Sequence, residues 1–289
     1  VVSGDGQIND TFTFTQVFAC TKGNDAFNGS DTSSELDRKE IFLPFQGSDE
    51  VYGNGGYDTL YYDVEGWHDG VEVNFAQGTA SHVAKFSGIE EVRGSHGNDN
   101  VTAVGYNTAI VVRAGDGDDT ITGGSGNDTI TVRGSYSLDR ALDQFVDAGT
   151  GDDNISSEST GYVVPKILAG DGNDTISSGF YYLDAGDGDD TVNLSSWQAS
   201  KERGAIFAGP NGGREDFLIE FLDGGAGNDT IIFGGGTSVD YYAVKNSDKY
   251  DDLKYWGDVI VNFENINYST NLQLGSQIGQ AGETLNISN

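Results

Sequence analysis

The stretch Ala114–Thr131 reads AGDGDDTIT and then GGSGNDTIT, one nine-residue unit written twice. Each copy has Gly at positions 2 and 4, Asn or Asp at 5, Asp at 6 and one large aliphatic residue at 8. This unit largely dictates its own shape. Glycine reaches positive φ without a Cβ penalty, so the first six residues can turn sharply and aim backbone carbonyls at one point. The Asp at position 6 adds a carboxylate, and an all-oxygen shell of this kind suits Ca²⁺. The last three residues form a short strand. Ile121 and Ile130 then point inward, while Thr120, Thr122, Thr129 and Thr131 point outward. Two units make one coil, and coils stack into a parallel sheet on each side.

Copies recur at Pro44–Tyr52, Gly53–Tyr61, Gly94–Thr102, Ala148–Ser156, Ala169–Ser177, Ala185–Asn193 and Gly224–Ile232, with a half-copy at Lys22–Gly29. A flexible Gly/Asp-rich linker would not keep an aliphatic residue at position 8. The candidate metal ligands are therefore the position-6 aspartates Asp49, Asp58, Asp99, Asp119, Asp128, Asp153, Asp174, Asp190 and Asp229. The carbonyl-presenting turns are shaped by Gly115 and Gly117, Gly124 and Gly126, Gly149 and Gly151, Gly170 and Gly172, Gly186 and Gly188, and Gly225 and Gly227. Each site lies between stacked turns, so the end of a row is expected to hold half-sites. Asp116, Asp171 and Asp187 at position 3 and Asp118, Asp152 and Asp189 at position 5 read as solvated turn residues, because turns favour Asp. Metal ligation is the alternative for these six.

On these motifs the chain resembles the RTX (repeats-in-toxin) calcium-binding β-roll family, from Lys22 to about Gly236. The resemblance implies an all-β fold, a parallel β-roll or β-solenoid. It also implies folding driven by several Ca²⁺ ions, type I secretion, and a place outside the cell, either secreted or at a bacterial cell surface as part of an adhesin.

Composition agrees with a metal-stapled fold. Only 36% of the residues are hydrophobic and 43 are Gly, so apolar burial alone would struggle to offset chain entropy. Metal-binding free energy becomes folding free energy and fills the gap. The net charge is −31, which opposes compaction until cations neutralise it locally. That charge argues against nucleic acid as a partner, since nothing here neutralises phosphates. No apolar run is long enough to span a membrane, so direct membrane insertion is not expected. Cys20, the single cysteine, lies in the apolar run Val17–Cys20 and reads as a buried, inert thiol. No signal-peptide pattern opens the chain, and the absence of Met, including at position 1, predicts a piece or processed product of a longer protein.

Three parts are expected: an N-terminal cap strand at 1–27, the roll with insertions at 28–236, and a C-terminal cap and linker at 237–289. Thr11–Thr15 alternates as a strand, and Asn28–Glu40 reads as a surface loop. Gly70–Phe75 and Gly88–Val92, inside an insertion, read as strands of further coils with wider loops. Ala103–Val111 reads as a degenerate copy in which Ile110 keeps the inward slot and Thr108 replaces the Asp. Full copies from Ala148 are spaced by 21, 16 and 39 residues, near one coil rather than half a coil. A damaged copy at Ala208–Asn211 lies in the last gap. One side of the roll should therefore carry the regular turns, and the other longer ones such as Arg133–Val146 and Leu194–Ile206. About ten or eleven coils give a rod roughly 50 Å long. Val259–Ile266 reads as a strand in an aromatic C-terminal cap with Tyr241, Tyr242, Tyr250, Tyr255, Trp256, Phe263 and Tyr268. Leu272–Asn289 reads as a linker.

No catalytic constellation is recognisable, and the chain reads as non-enzymatic. His68, His82 and His96 are not followed by Glu, so H-E-x-x-H is missing. Gly123–Asn127 misses the last Gly of G-x-S-x-G. The expected partners are calcium and neighbouring domains of a longer chain. A surface-recognition module for glycan or ice is the alternative function. Ranks of outward Thr and Ser would serve ice, and Tyr61–Tyr62, Tyr181–Tyr182, Tyr241–Tyr242, Trp197 and Trp256 would serve sugar rings. Turn position 3 is too irregular for the first, and the 15 basic residues are few for an anionic polymer.

Overall fold

One inward aliphatic flanked by outward polar residues, repeated each half-coil, builds two parallel sheets over a single core. The computed structural model describes residues 15–29, 39–65, 68–133, 144–157, 165–177, 180, 182–193 and 221–233, and the short strands at 260–261, 265–268, 272–274, 277–279 and 284–286. Among the described residues each of these two sheets has twelve strands, and outside the segment 72–87 the chain alternates between them up to Tyr268. In the first sheet Leu60, Val92, Val112, Ile130, Ile155, Ile176, Val192 and Ile231 stand in one register column, all fully buried. In the second, Val101, Ile121, Val146, Ile167, Leu183 and Leu222 form the facing column. The fold is the expected all-β parallel roll. At its N-terminal end, Phe18 and Phe42 stack with centroids 5.1 Å apart, and Phe27 tilts against Phe18 at 5.6 Å. Larger rings thus fill the first coils, where aliphatics form the columns of the later ones.

Strands on both sides of the expected part boundaries join these sheets. Thr15–Ala19 pairs in parallel with Lys39–Leu43, and Ala26–Asn28 with Asp49–Tyr52. At the far end Ile260–Val261 extends the second sheet and Asn265–Tyr268 the first. The run expected as one strand from Val259 to Ile266 is therefore two strands, one in each sheet. Thr284–Asn286 then pairs antiparallel with Asn265–Tyr268 and occupies the last edge of the first sheet, a position where an open edge would invite pairing with another chain. Leu272–Leu274 and Gln277–Gly279 form a separate antiparallel pair in the stretch expected as linker. Thr11–Phe14, most of the expected loop at 28–40, the damaged copy, the turn at Leu194–Ile206, and Tyr241, Tyr242, Tyr250, Tyr255 and Trp256 lie outside the described residues, as do Tyr181 and Trp197.

Two expectations need correction. The insertion is not a pair of wider-looped coils. Glu72–Asn74 and Glu91–Arg93 are strands as expected, but they belong to different sheets. Between them Thr79–Ala80 and Val83–Ser87 fold back antiparallel, so one coil contributes three strands to the second sheet. Two reversals allow this, at Gly78 (φ 64°) and His82 (φ 62°). Phe75 and Phe86, edge to face at 5.6 Å, fill the widened interior. The second correction concerns Ile110. Val111 pairs with Thr129, so Ile110 stands in the column of Asp128, and Val112 is the inward residue. The loop before it is two residues longer than a standard turn, which shifts the register and puts a buried aliphatic where a carboxylate is expected.

Cys20 is buried, and desolvation, reinforced by Asp49, pushes its thiol up to about 12. At that value almost no thiolate forms near neutral pH.

Candidate metal centre

All nine position-6 aspartates are buried, with relative exposure of 2% or less. An ionised carboxylate is costly to bury unless it is compensated, so the partners of these oxygens decide what the turns can hold. One oxygen of each is accounted for by the backbone. Asp153 Oδ1 accepts from the Asp128 N–H at 2.7 Å, Asp174 Oδ1 from Asp153 at 2.8 Å, Asp190 Oδ1 from Asp174 at 2.8 Å and Asp229 Oδ1 from Asp190 at 2.8 Å. Asp128, Asp153, Asp174, Asp190 and Asp229 thus form an unbroken row on five successive coils, along the turns that lead into the first sheet. Among the described residues the opposite turns carry shorter runs: Asp119 Oδ1 accepts from the Asp99 N–H at 3.0 Å and Asp49 Oδ1 from Asp25 at 2.9 Å. This is the lopsided arrangement the repeat spacing predicts.

The second oxygens are not alike. Asp49, Asp58, Asp153, Asp174 and Asp190 each keep a buried Oδ2 with no hydrogen-bond partner. In Asp99, Asp128 and Asp119 that oxygen is bound. Asp99 Oδ2 accepts from the Ser95 N–H at 2.7 Å, Asp128 Oδ2 from Gly124 at 3.0 Å and Asp119 Oδ2 from Gln144 Nε2 at 3.4 Å. Gln144 stands where the next coil's Asp would be, so its amide closes that short run with a donor.

A hard cation fits the orphaned oxygens. At Gly53, a Cβ would meet both Asp58 Oδ2 and the Gly88 carbonyl oxygen, so a carboxylate and a carbonyl converge on the space a side chain would fill. Ala148 O and Asp128 Oδ2 converge likewise on Gly123. Among the described residues no three His, Cys, Asp or Glu side chains form a metal cluster. A cation here would take its carboxylates from stacked turns and complete its shell with backbone oxygens, the oxygen-rich ligation Ca²⁺ prefers. The carbonyls are close because the turn glycines are close: a Cβ on Gly170, Gly186 or Gly225 would collide with the carbonyl oxygen of Gly149, Gly170 or Gly186 in the preceding coil.

Three groups escape a reading that looks for Asp at position 6. Glu40 and Glu90 stand on either side of Asp58 in the same column: Asp58 Oδ1 accepts from the Glu40 N–H at 3.2 Å, and Glu90 Oε2 accepts from the Asp58 N–H at 2.8 Å. A glutamate in the slot of the sequences around them was the available signal. The third group is the position-5 side chains, which form a ladder. Asn127 Oδ1 accepts from the Asp152 N–H at 3.0 Å, Asp152 Oδ1 from Asn173 at 2.9 Å, Asn173 Oδ1 from Asp189 at 2.8 Å and Asp189 Oδ1 from Asn228 at 2.9 Å. The solvated reading of Asp152 and Asp189 is incomplete, because each ties one coil to the next. The two ladders run in opposite directions, position 6 accepting from the coil before and position 5 from the coil after. Asn173→Ala should cost about 1 kcal/mol, the net worth of one such bond. Calcium content should stay the same; a drop in bound calcium would make position 5 a ligand instead.

Burial raises these carboxyls in the metal-free protein. Asp119 is pushed up to about 8, Asp58, Asp153 and Asp190 to about 7 and Asp174 to about 6. Asp99 and Asp128 are raised by the same cause. A carboxyl with a raised folded-state pKa binds more protons folded than unfolded between its two values, so stability falls as pH rises through that window. In EDTA protons should therefore partly replace the metal: the chain should gain far-UV β-signal as the pH falls from about 9 to about 5 (about one unit beyond each end of the raised range). Calcium should narrow the difference, because it displaces those protons. A stronger metal-free β-signal at the alkaline end would contradict this.

Residues 45–61, 111–133, 166–180 and 221–239 match a family described as the RTX calcium-binding nonapeptide repeat, in four copies. The second of these stretches holds Asp119 and Asp128, the third Asp174 and the fourth Asp229. The search of curated proteins gives no match.

Proposed function

We propose, from the premise that this chain carries RTX calcium-binding nonapeptide repeats, that it is an extracellular structural module whose folding is driven by Ca²⁺. The supporting observation is the set of five buried, unpartnered carboxylate oxygens at Asp49, Asp58, Asp153, Asp174 and Asp190. A fold that leaves these oxygens bare is incomplete without a cation. The position-6 aspartates and the carbonyls of the turn glycines supply its ligands. In low calcium a chain of net charge −31 repels itself and stays extended. In millimolar calcium it folds by mass action, because the ligand binds only the folded state. That asymmetry suits a protein exported unfolded and assembled outside a bacterial cell, and repeats of this family occur in secreted bacterial proteins. Among the described residues no helix is long and apolar enough to cross a membrane. The module acts as a spacer or folding platform for neighbouring domains, without catalysis of its own. Limited proteolysis tests the reading: with calcium a fragment covering the two sheets should persist, and with chelator it should be digested. Equal resistance in both would contradict it.

A further inference from the structure

Three of the 15 basic residues of this chain stand together. Arg93, Arg113 and Arg133 recur every twenty residues, one per coil, and together line a cleft of about 230 Å³ beside the first sheet, with Thr131, Val132 and Asp63. Two of them are held by an unusual anchor. Glu91 lies on the outer face of its strand, because Val92 points inward, yet its side chain is only 2% exposed. Glu91 Oε1 accepts from Arg93 Nε at 2.9 Å and from Arg113 Nε at 3.0 Å, and Oε2 from Lys39 Nζ at 3.4 Å and Thr59 Oγ1 at 3.2 Å. Burial pushes Glu91 up, but Arg93, Lys39 and Arg113 together hold it below the usual carboxylate range. It therefore remains an anion and keeps both guanidinium groups oriented.

A guanidinium has five donors in a fixed fork. Glu91 uses the Nε–H of Arg93 and of Arg113, leaving the Nη edges of both. Arg93 and Arg113 are register partners on adjacent strands, so the two side chains leave the sheet about one strand spacing apart, ~4.8 Å. The two arginines are 35% and 46% exposed. Arg133 engages Asp116 at 3.4 Å, and Asp63 on the opposite wall engages His96 Nε2 at 2.9 Å. The cleft's own cations outnumber its one lining carboxylate, in a molecule whose net charge is strongly negative.

We infer that this cleft binds the carboxylate of a small hydroxylated acid, a sugar acid of one ring. The planar fork of Arg93 or Arg113 matches a carboxylate bidentately. Thr131 and Asp63 offer a hydroxyl and an acceptor to ligand hydroxyls, and the one apolar residue among the described lining, Val132, is itself buried in the core, which disfavours an apolar ligand. The volume admits one ring and not a longer rigid segment. Gly94 and Gly115, from the turns that lead to Asp99 and Asp119, form part of the wall, so the cleft requires the folded roll but not the calcium reading of any single turn.

The test is a titration of the calcium-saturated, full chain with sodium glucuronate, followed through the arginine Nε–H signals in NMR, with far-UV circular dichroism reporting the fold separately. Saturable binding at millimolar glucuronate is expected, with no response to glucose and at least ten-fold weaker binding of sulfate. R113Q should weaken binding at least ten-fold. R113K, which keeps the charge without the fork, should weaken it several-fold, and K85Q, on the other sheet, should leave it unchanged. No saturation in folded protein would overturn the inference. So would equal affinity for sulfate, or wild-type affinity in both Arg113 variants. A loss of the folded signal itself would count against the calcium reading and not against the cleft.

Discussion

Replacing Asp153 and Asp174 together with Asn should lower the calcium content of the protein and cut the stability it gains from the metal. Asn keeps Oδ1, so the bonds from the Asp128 and Asp153 N–H groups survive in both turns. What disappears is the second carboxylate oxygen, the one without a partner. In EDTA near neutral pH that loss is favourable, because burial has already pushed the two carboxyls up to about 7 and about 6 and a neutral isostere removes the cost of ionising them. The metal-free variant should therefore show no less far-UV β-signal than the wild type. In millimolar calcium the wild type gains free energy from ligation that the variant cannot, and the variant unfolds first in urea. Calcium per chain after equilibrium dialysis, measured beside the β-signal in EDTA and the urea midpoints in calcium, checks both halves. Unchanged calcium content would remove these two residues from the site.

Gly186→Val should be the most damaging single substitution in the roll. Gly186 has φ 101°, a conformation that costs a residue with a side chain roughly 1–3 kcal/mol. Its Cβ would also collide with the Gly170 carbonyl oxygen and approach the Gly170 Cα. This neighbour is backbone in the preceding coil, held by the Lys166–Asp171 and Tyr182–Asp187 pairing on one side of the turn, and it cannot swing aside. The coils must separate, and separation moves the carbonyls that a cation needs. Gly105→Val is the control. Gly105 also has positive φ, 82°, but nothing lies within 4 Å of a Cβ there. It should lose the backbone term alone and keep its calcium. If urea midpoints in calcium fall equally for the two variants, close stacking of the turns is not what the glycines serve.

The periodic part of this molecule was readable because each conserved letter of the unit has one physical job. Aliphatics at position 8 became the core columns, and every position-6 Asp became a buried carboxylate. Even the sidedness followed from spacing, since copies one coil apart must fall on the same row of turns. The failures lie where another residue does the same job or the same residue does another. Glu40 and Glu90 occupy the Asp58 column without the motif around them. Ile110 was placed by counting nine residues from Ala103, but the loop is longer and the count slips by two. The fold-back at Gly78 and His82 depends on two local reversals that a strand pattern does not announce.

At the site, sequence treats nine aspartates as equals, and the structure separates them by their second oxygen. Ser95, the Gly124 N–H and Gln144 satisfy Asp99, Asp128 and Asp119, and none of those partnerships is written in the nonapeptide. The clustering of Arg93, Arg113 and Arg133 was equally hidden. Counting tight basic pairs along the chain misses residues that meet because they are one coil apart.

The calcium dependence of folding is the claim on which the rest depends. Titrating Ca²⁺ into EDTA-stripped protein, with far-UV circular dichroism and hydrodynamic radius followed together, tests it most directly. The account predicts a cooperative gain of β-signal coincident with compaction, at sub-millimolar to millimolar calcium. A stripped protein that is already compact and β-rich, and that calcium leaves unchanged, would contradict it.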